Sequence, residues 1–415
     1  MIRTNGNNNK HNNKHNNKHS KKRKLNWLRI LVFLALIVII IIRINYGLTN
    51  SDRVYDIEHI AQEPEIVVIS DTTIHISVIG DIMCHSPNYN AAYIPETGSY
   101  DFRPFFTNIE KYISSADIAI GNLETTFAGK ARGYSGYPTF NSPSELGVAM
   151  KEIGIDVLGT ANNHSMDKGY SGVVSTLDAL DEIGIEHMGT ARSKEEQDTI
   201  LVKDVNGIKI AFLAYTYGTN GIAIPSANSY CINLINKDLI LQHIKAAKEL
   251  EVDLICVNMH WGIEYQTTPN AEQLSLADFL FENGVDIILG SHAHVLQRME
   301  KRSIELEDGS TKDGFVIYSL GNFISNQQDV GTRDTVILDI QITKAGETGN
   351  VTIDSVDFTP VFNYNKGSGT SDRYRLIDLN AVIKEYDDGK SSISETLYNT
   401  FKSALQRITK IIQAV

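Results

Sequence analysis

The chain has 415 residues, which allows one large domain or two smaller ones with a full hydrophobic core. Its composition, 42% hydrophobic and 21% charged, is that of a globular protein rather than of a disordered one. The formal net charge is -12, and beyond residue 44 the chain carries 28 Lys and Arg against 50 Asp and Glu. Such acidity argues against nucleic acid as a partner.

Residues 1–25 differ from the rest of the chain. They repeat a Lys-His-Asn-Asn unit and contain eight Lys and Arg but no Asp or Glu. A segment of this kind cannot bury apolar surface, so the sequence predicts a disordered basic tail.

A strongly apolar stretch follows in residues 26–46. With Arg29 extended toward an interface and Trp27 and Tyr46 near the ends, it is long enough to cross a bilayer. We predict an uncleaved signal anchor; a cleaved signal peptide, which has the same charged-then-apolar layout, is the alternative. The basic tail then stays cytoplasmic, and the protein is a single-pass protein of the cell membrane with its main domain extracellular. Residues 47–72, polar and acidic, are predicted to be a linker.

Beyond the linker, short apolar runs alternate with stretches of helical periodicity. Predicted strands begin near residues 74, 117, 155, 185, 208, 254, 287, 315, 335 and 351, and predicted helices cover residues 105–114, 143–153, 170–183, 237–250, 271–282 and 392–415. This alternation predicts an α/β fold with a central sheet. We expect the main domain to span residues 73–345, with residues 346–415 completing or flanking it.

Five predicted strands end in residues that can bind a metal. They are Asp81, Glu124, Asn163 with His164, His260, and His292 with His294. Each has an ordinary alternative as a helix cap, a turn residue or a structural histidine. Because ligand crevices in α/β sheets lie at the carboxyl ends of the strands, five such endings together predict one metal site.

The donor types in this set restrict the metal. Carboxylate, amide oxygen and imidazole suit Mn²⁺, Zn²⁺ or Fe better than Ca²⁺. A carboxylate such as Glu124 can bridge two cations, so the sequence predicts one or two divalent ions. Such a site serves hydrolysis or transfer at phosphorus or carbonyl centres. Cys84 beside Met83 is either a further ligand or a core residue.

Six motifs in this region resemble, in the right order, those of the CapA family of poly-γ-glutamate capsule biosynthesis proteins. The motifs are Gly80-Asp81-Ile82-Met83, Gly121-Asn122-Leu123-Glu124, Ala161-Asn162-Asn163-His164-Ser165-Met166-Asp167, His260-Trp261-Gly262-Ile263-Glu264-Tyr265, Gly290-Ser291-His292-Ala293-His294-Val295-Leu296-Gln297 and Ser319-Leu320-Gly321-Asn322-Phe323. The resemblance implies a fold similar to calcineurin-type metallophosphoesterases, a sandwich of two mixed sheets flanked by helices. It also implies work on poly-γ-glutamate or a related anionic polymer, together with membrane-embedded capsule synthase subunits.

The resemblance further implies roles for single residues. Those that resemble metal ligands are Asp81, Glu124, Asn163, His260, His292 and His294. His164 stands where phosphoesterases keep an acid that protonates the leaving group, with Asp167 as its orienting partner. Asn322 and Arg298 are predicted to bind substrate.

Two departures from the phosphoesterase pattern bear on the metal site. Phosphoesterases generally place a histidine two residues after the first aspartate, where this chain has Met83. They also bridge the two metal ions with an aspartate, where this chain has Glu124. His85 is either a substitute ligand or a surface histidine. Arg298, with the basic residues at 301 and 302, forms either a patch for a polyanion or a solvated basic turn.

Three functions remain open from the sequence. The first is a surface-exposed, metal-dependent hydrolase of phosphoesterase type that acts in capsule synthesis. The second, motivated by Met83, is a non-catalytic factor that binds polymer or stabilises the synthase. The third is a surface metallophosphatase unrelated to capsule, since one fold hosts many functions.

Overall fold

The computed structural model describes residues 20–48, 70–305, 309, 311–367 and 373–412. These residues belong to two compact units, Met1–Val67 and Val68–Val415. Most of the predicted tail (residues 1–19) and most of the predicted linker (residues 49–69) lie outside the described residues.

The described part of the first unit is one helix, α1 (Ser20–Leu48). Within it, Arg29–Gly47 is long and apolar enough to cross a membrane, by length and composition. This stretch largely coincides with the segment predicted from the sequence. The helix begins six residues before that segment, at Ser20, and so includes the basic residues that precede it.

In the second unit the described residues form two large sheets and a small hairpin. The strands are β1 (Thr72–Ile82), β2 (Tyr93–Ile94), β3 (Ser99–Tyr100), β4 (Ile118–Leu123), β5 (Val157–Gly159), β6 (Glu186–Met188), β7 (Leu201–Val205), β8 (Ile208–Thr216), β9 (Leu254–His260), β10 (Ile287–Ser291), β11 (Met299–Glu305), β12 (Thr311–Ile317), β13 (Asn322–Ile324), β14 (Asp334–Lys344), β15 (Val351–Asn365) and β16 (Tyr374–Asp378).

Both large sheets mix parallel and antiparallel pairs. The first has the order β16-β15-β14-β1-β4-β5-β6, with β13 also paired to β1, and the second has the order β11-β12-β10-β9-β8-β7. The central strands of each sheet run parallel: β1, β4 and β5 in the first, and β8, β9 and β10 in the second. Their carboxyl ends therefore lie along one edge of each sheet.

Helices flank the two large sheets. The described helices of this unit are α2 (Ser86–Ala92), α3 (Arg103–Phe106), α4 (Glu110–Ser114), α5 (Glu145–Glu152), α6 (Gly169–Ile183), α7 (Lys194–Asp198), α8 (Lys237–Glu249), α9 (Ala271–Glu282), α10 (Leu379–Asp387) and α11 (Glu395–Ile412), with short 3₁₀ turns at Lys130–Arg132 and Ser226–Asn228.

The core is built in layers. One cluster of buried side chains joins the inner faces of the two sheets, with Ile76 and Val78 from β1 facing the same cluster as Ile210 and Leu289. A second cluster packs the outer face of the first sheet against α3 to α6, and a third packs the second sheet against α8 and α9. Each fully buried aliphatic side chain contributes about 1.5–3 kcal/mol of transfer free energy. The predicted α/β fold, a sandwich of two mixed sheets flanked by helices, is confirmed.

Some predicted elements have different bounds. The helix predicted over residues 105–114 is instead two short helices, α3 and α4. A turn separates them, in which the backbone N–H of Ile109 donates to the carbonyl oxygen of Phe106. The basic residues at 301 and 302 lie in strand β11 and not in a turn. The C-terminal helix is amphipathic as predicted, since Phe401 and Ile408 are buried on one side of α11, but α10 before it was not predicted.

Gly290 in strand β10 is a position where a larger residue cannot fit. A Cβ built there would lie 2.0 Å from the carbonyl oxygen of Tyr318 on the adjacent chain segment. We therefore expect Gly290→Ala to lower the free energy of unfolding by at least about 3 kcal/mol, since overpacking against rigid backbone has no cheap relief. Thermal unfolding of the variant beside Gly218→Ala, whose Cβ meets nothing within 4 Å, measures this; equal melting temperatures would contradict it.

Candidate metal centre

The predicted site residues lie at the carboxyl edges of both sheets. Asp81 is the second-to-last residue of β1, and its register partner in the parallel strand β4 is Asn122. Glu124 follows β4 directly, and Asn163 comes shortly after β5. These strand ends of the first sheet thus supply the oxygen donors of the site.

The second sheet supplies the imidazoles. His260 is the last residue of β9 and is in register with Ser291 at the end of β10. His292 and His294 follow in a tight loop, with φ angles of 92° and 57°. Positive φ is unfavourable for residues other than glycine, so this backbone is held in place by its surroundings.

Contacts across the two sheets bring these side chains together. Nε2 of His260 lies 2.9 Å from Oδ1 of Asn163 and 3.5 Å from Oε1 of Glu124. Nε2 of His294 lies 3.9 Å from the same Glu124 oxygen, and its Nδ1 lies 3.5 Å from Oδ2 of Asp81. The backbone N–H of His292 donates to that same Asp81 oxygen at 3.1 Å. Six predicted ligands from five strand ends therefore form one cluster.

Possible ligand atoms form two groups that share one carboxylate. Glu124, His260 and His292 form one group, and Asp81, Glu124 and His294 form the other; within each group the atoms lie within 4.8 Å of one another. All five side chains are buried. Two groups that share Glu124 are the arrangement expected for a carboxylate between two cations.

The hydrogen bonding of these residues fits a bound cation. Both carboxylate oxygens of Glu124 and Nδ1 of His292 are buried without a hydrogen-bond partner among the described residues. A buried polar atom without a partner costs about 1–3 kcal/mol, and more if it is charged. Divalent cations accept oxygen and imidazole nitrogen donors of this kind, so the residues present fit the predicted metal.

Burial and neighbouring charges shift the pKa values of the side chains in this cluster. Burial raises the pKa of Glu124 to about 8. Burial likewise lowers the pKa of His260 to about 3 and that of His292 to about 2. For His294 burial is outweighed by the carboxylates of Glu124 and Asp81, which raise its pKa to about 9. Two imidazoles are therefore neutral, as metal ligation requires.

His164 and Asp167 form a separate buried pair beside these ligands. Nδ1 of His164 lies 2.8 Å from Oδ2 of Asp167, which also accepts the backbone N–H of Phe140. The carboxylate thus orients the imidazole and leaves Nε2 directed toward Asn220, whose amide nitrogen is 3.5 Å away. Neither residue belongs to a metal-ligand group among the described residues, which agrees with a role in proton transfer rather than in ligation.

The remaining candidates lie in different surroundings. Asn322 accepts from Nδ1 of His294 at 3.1 Å and so supports a ligand directly. Arg298 lines a cavity of about 380 Å³ together with Thr267, Arg407 and Lys410, apart from the described metal-ligand groups. Its guanidinium lies 3.4 Å from a Glu300 oxygen. The two predicted substrate-binding residues are therefore not brought together.

Three residues shortly after Asp81, namely Met83, Cys84 and His85, lie outside the metal-ligand groups of the described residues. Met83 is buried, with 2% of its surface exposed, and its side chain offers neither a nitrogen nor an oxygen donor. His85 accepts the backbone N–H of Asn326 through Nδ1 and joins no ligand group among the described residues. Cys84 is fully buried in the cluster under α3 to α6, and burial raises the pKa of its thiol to about 12, as expected of a core residue.

Several residues of the site escaped prediction. Asn122 donates to Oδ1 of Asp81 at 2.8 Å, and Ser291 lies 2.9 Å from Nδ1 of His260. Tyr217 packs its ring 4.5 Å from that of His292. Asn122 was detectable, because it is two residues before Glu124 and so shares a face of the chain with it. Tyr217 and Asn220 follow β8 without any motif.

Comparison with known proteins supports the motif resemblance. The model of the family described as bacterial capsule synthesis protein PGA_cap matches residues 75–327. The chain belongs to this capsule synthesis family.

Two curated relatives are capsule proteins of Bacillus species. The capsule biosynthesis protein CapA of Bacillus anthracis is 29% identical over 65% of this chain and 64% of its own length. The PGA biosynthesis protein CapA of Bacillus subtilis is 28% identical over 72% of this chain and 75% of its own length. The match thus spans just under two thirds of the first relative and three quarters of the second.

Two of the solved structures that align with this chain are a phosphoesterase and a nucleotidase. The calcineurin-like phosphoesterase YfkN from Bacillus subtilis aligns with 82% of this chain and 99% of its own, at 13% identity and a TM-score of 0.38. The NAD nucleotidase of Haemophilus influenzae aligns with 83% of this chain and 64% of its own, at 13% identity and a TM-score of 0.43.

Proposed function

We propose that this protein is a membrane-anchored, extracellular component of poly-γ-glutamate capsule biosynthesis and that it acts through a metal-dependent site of phosphoesterase type. The observation that carries the proposal is the pair of ligand groups that share Glu124, a buried carboxylate without a hydrogen-bond partner among the described residues. Membership of the capsule synthesis family supports the process. The helix Ser20–Leu48 and the basic residues before residue 26 support an anchor with a cytoplasmic N-terminus.

The side chains described above have different roles in the proposed reaction. A divalent cation, when bound, supplies Lewis acidity toward a phosphoryl or carbonyl oxygen. Asp81, Glu124, Asn163 and the three histidines would hold one or two such ions. His164 holds a proton at the edge of this cluster, and Asp167 fixes its imidazole in the orientation needed to deliver that proton to a leaving group.

The proposed activity is tested on the full chain in detergent. We expect hydrolysis of a chromogenic phosphodiester or of a γ-glutamyl substrate with Mn²⁺ or Zn²⁺, and loss of turnover on chelation. In cells, Glu124→Gln is expected to abolish capsule while the protein stays in the membrane. Normal capsule with this variant would contradict a metal-dependent role.

A second candidate function is a non-catalytic factor that binds the polymer and assists the synthase. Two observations favour it: the donor position occupied by Met83, and the cavity lined by Arg298, Arg407 and Lys410. The three cations stand out on a chain with a net charge of -12 and suit a polycarboxylate. Arg407 is already paired with Asp334 at 2.7 Å and Arg298 with Glu300 at 3.4 Å, so Lys410 is the strongest candidate for contact.

Polymer binding at this cavity makes a separate prediction. Lys410→Glu is expected to weaken binding of poly-γ-glutamate two- to fivefold at low salt, because removing an exposed charge pair costs about 0.2–1 kcal/mol. Raising the salt concentration should shrink the difference. Binding measured by calorimetry beside Lys402→Glu, a reversal on the same helix outside the cavity lining, provides the control; equal weakening by both variants would count against the cavity.

A further inference from the structure

Glu264 lies in the loop between β9 and α9, beside the histidine loop. Its carboxylate forms a further group of possible ligand atoms with His292 and His294, all within 4.8 Å of one another. Unlike the other members of these groups, Glu264 is exposed. It therefore approaches the histidines from the solvent side, whereas Glu124 approaches from the buried side.

The loop that carries Glu264 is tied to the histidine loop by hydrogen bonds. The backbone N–H of Tyr265 donates to the carbonyl oxygen of Ala293 at 2.8 Å. The side chain of Gln297 donates to the carbonyl oxygen of Gln266 at 2.8 Å. The two residues that follow Glu264 are thus anchored to the histidine loop and to Gln297 just after it, so the position of Glu264 is set by the fold.

The Gln297 side chain is itself held in place by a second glutamine. Nε2 of Gln273, in the first turn of α9, donates to Oε1 of Gln297 at 2.7 Å. Gln273 also closes the capping box of α9 with Asn270. Both glutamines are buried. A buried, fully bonded support of this kind restricts the loop to one conformation, as a ligand loop requires.

The metal groups have room for another donor. The group formed by Asp81, Glu124 and His294 offers three side chains, and Met83, two residues after Asp81 and just past the end of β1, offers only a thioether. Divalent cations of the Zn²⁺ or Mn²⁺ type take four or more donors. Glu264 reaches one histidine from each of the two groups that share Glu124.

We infer that Glu264 is an additional ligand of the metal centre, which it closes from the solvent side, and that it supplies a donor in place of the histidine that the Met83 position lacks. This inference rests on the proposed metal-dependent function. Among the side chains of these ligand groups, Glu264 is the one that is exposed to solvent.

The test is to titrate the full chain, in detergent, with Mn²⁺. Calorimetry then gives the affinity and the stoichiometry of Mn²⁺ binding. Glu264→Gln is expected to weaken the binding of at least one ion by about tenfold or more, since even residues that only support a ligand change affinity 10- to 100-fold. Glu264→Asp, which keeps the carboxylate, should bind more tightly than Glu264→Gln. The control is Glu282→Gln, which removes the same charge at the end of α9 and should leave binding unchanged.

The outcomes separate the two proposals. If the wild type binds Mn²⁺ but no more tightly than Glu264→Gln does, Glu264 is not a ligand, and the metal centre itself is not contradicted. Equal weakening by Glu282→Gln also overturns it, because the effect is then one of net charge. Wild-type protein that binds no Mn²⁺ overturns the metal centre, and the ligand role of Glu264 with it.

Discussion

Glu124→Gln is expected to abolish stabilisation of the protein by divalent cations while leaving the metal-free fold about as stable as the wild type. The substitution keeps the size of the side chain and removes the one carboxylate that both ligand groups share. Neither oxygen of Glu124 has a hydrogen-bond partner among the described residues, so the metal-free fold loses little when the carboxylate becomes an amide. We expect its free energy of unfolding to change by no more than about 1 kcal/mol.

The effect on the metal-bound state is much larger. A cation present at one hundred times its dissociation constant stabilises a protein by about 2.7 kcal/mol. Thermal unfolding of the wild type in Mn²⁺ or Zn²⁺ should show this gain, and Glu124→Gln should show none. A variant that gains as much stability from the cation as the wild type would remove Glu124 from the centre.

Replacement of His164 gives the second large effect, and it should act on rate alone. His164 is bonded to Asp167 and lies outside the metal-ligand groups of the described residues. We therefore expect His164→Ala to lower kcat for a phosphodiester by about 10²- to 10⁴-fold, the usual contribution of a general acid. Metal affinity should stay within about twofold of the wild type.

A matched substitution controls for loss of a histidine elsewhere. His75 is at the start of β1, half-exposed, and bonded to Asp339, so His75→Ala should leave both rate and metal affinity unchanged. Turnover by His164→Ala at the wild-type rate would contradict the assignment of His164 as the acid. Loss of metal binding together with rate would instead make His164 a ligand or a support of one.

Most of the site could be predicted because its residues follow locally recognisable strands. Apolar runs that stop at glycine or a short loop mark the ends of β1, β4, β5, β9 and β10, and parallel pairing then brings Asp81 beside Asn122 and His260 beside Ser291. The three-residue spacing of His164 and Asp167 likewise made their hydrogen bond foreseeable. Local pattern and topology were sufficient for these residues.

Other features depend on contacts between distant parts of the chain. Tyr217 meets His292 only because β8 ends beside β9 in the second sheet. Arg298 shares a cavity with Lys410, over one hundred residues away, because α11 packs against the sheets through Phe401 and Ile408. No periodicity in the sequence encodes such proximity. The position of Glu264 beside the histidines similarly depends on the hydrogen bond from Tyr265 to Ala293.

The presence of a cation at Glu124 is tested most directly by crystals of the protein grown with Zn²⁺. Anomalous diffraction at the zinc edge should show density about 2.0–2.2 Å from a carboxylate oxygen of Glu124 and about 2.0–2.1 Å from an imidazole nitrogen of His260, His292 or His294. Crystals grown in millimolar Zn²⁺ without anomalous density next to Glu124 would contradict the metal centre on which the proposed function depends.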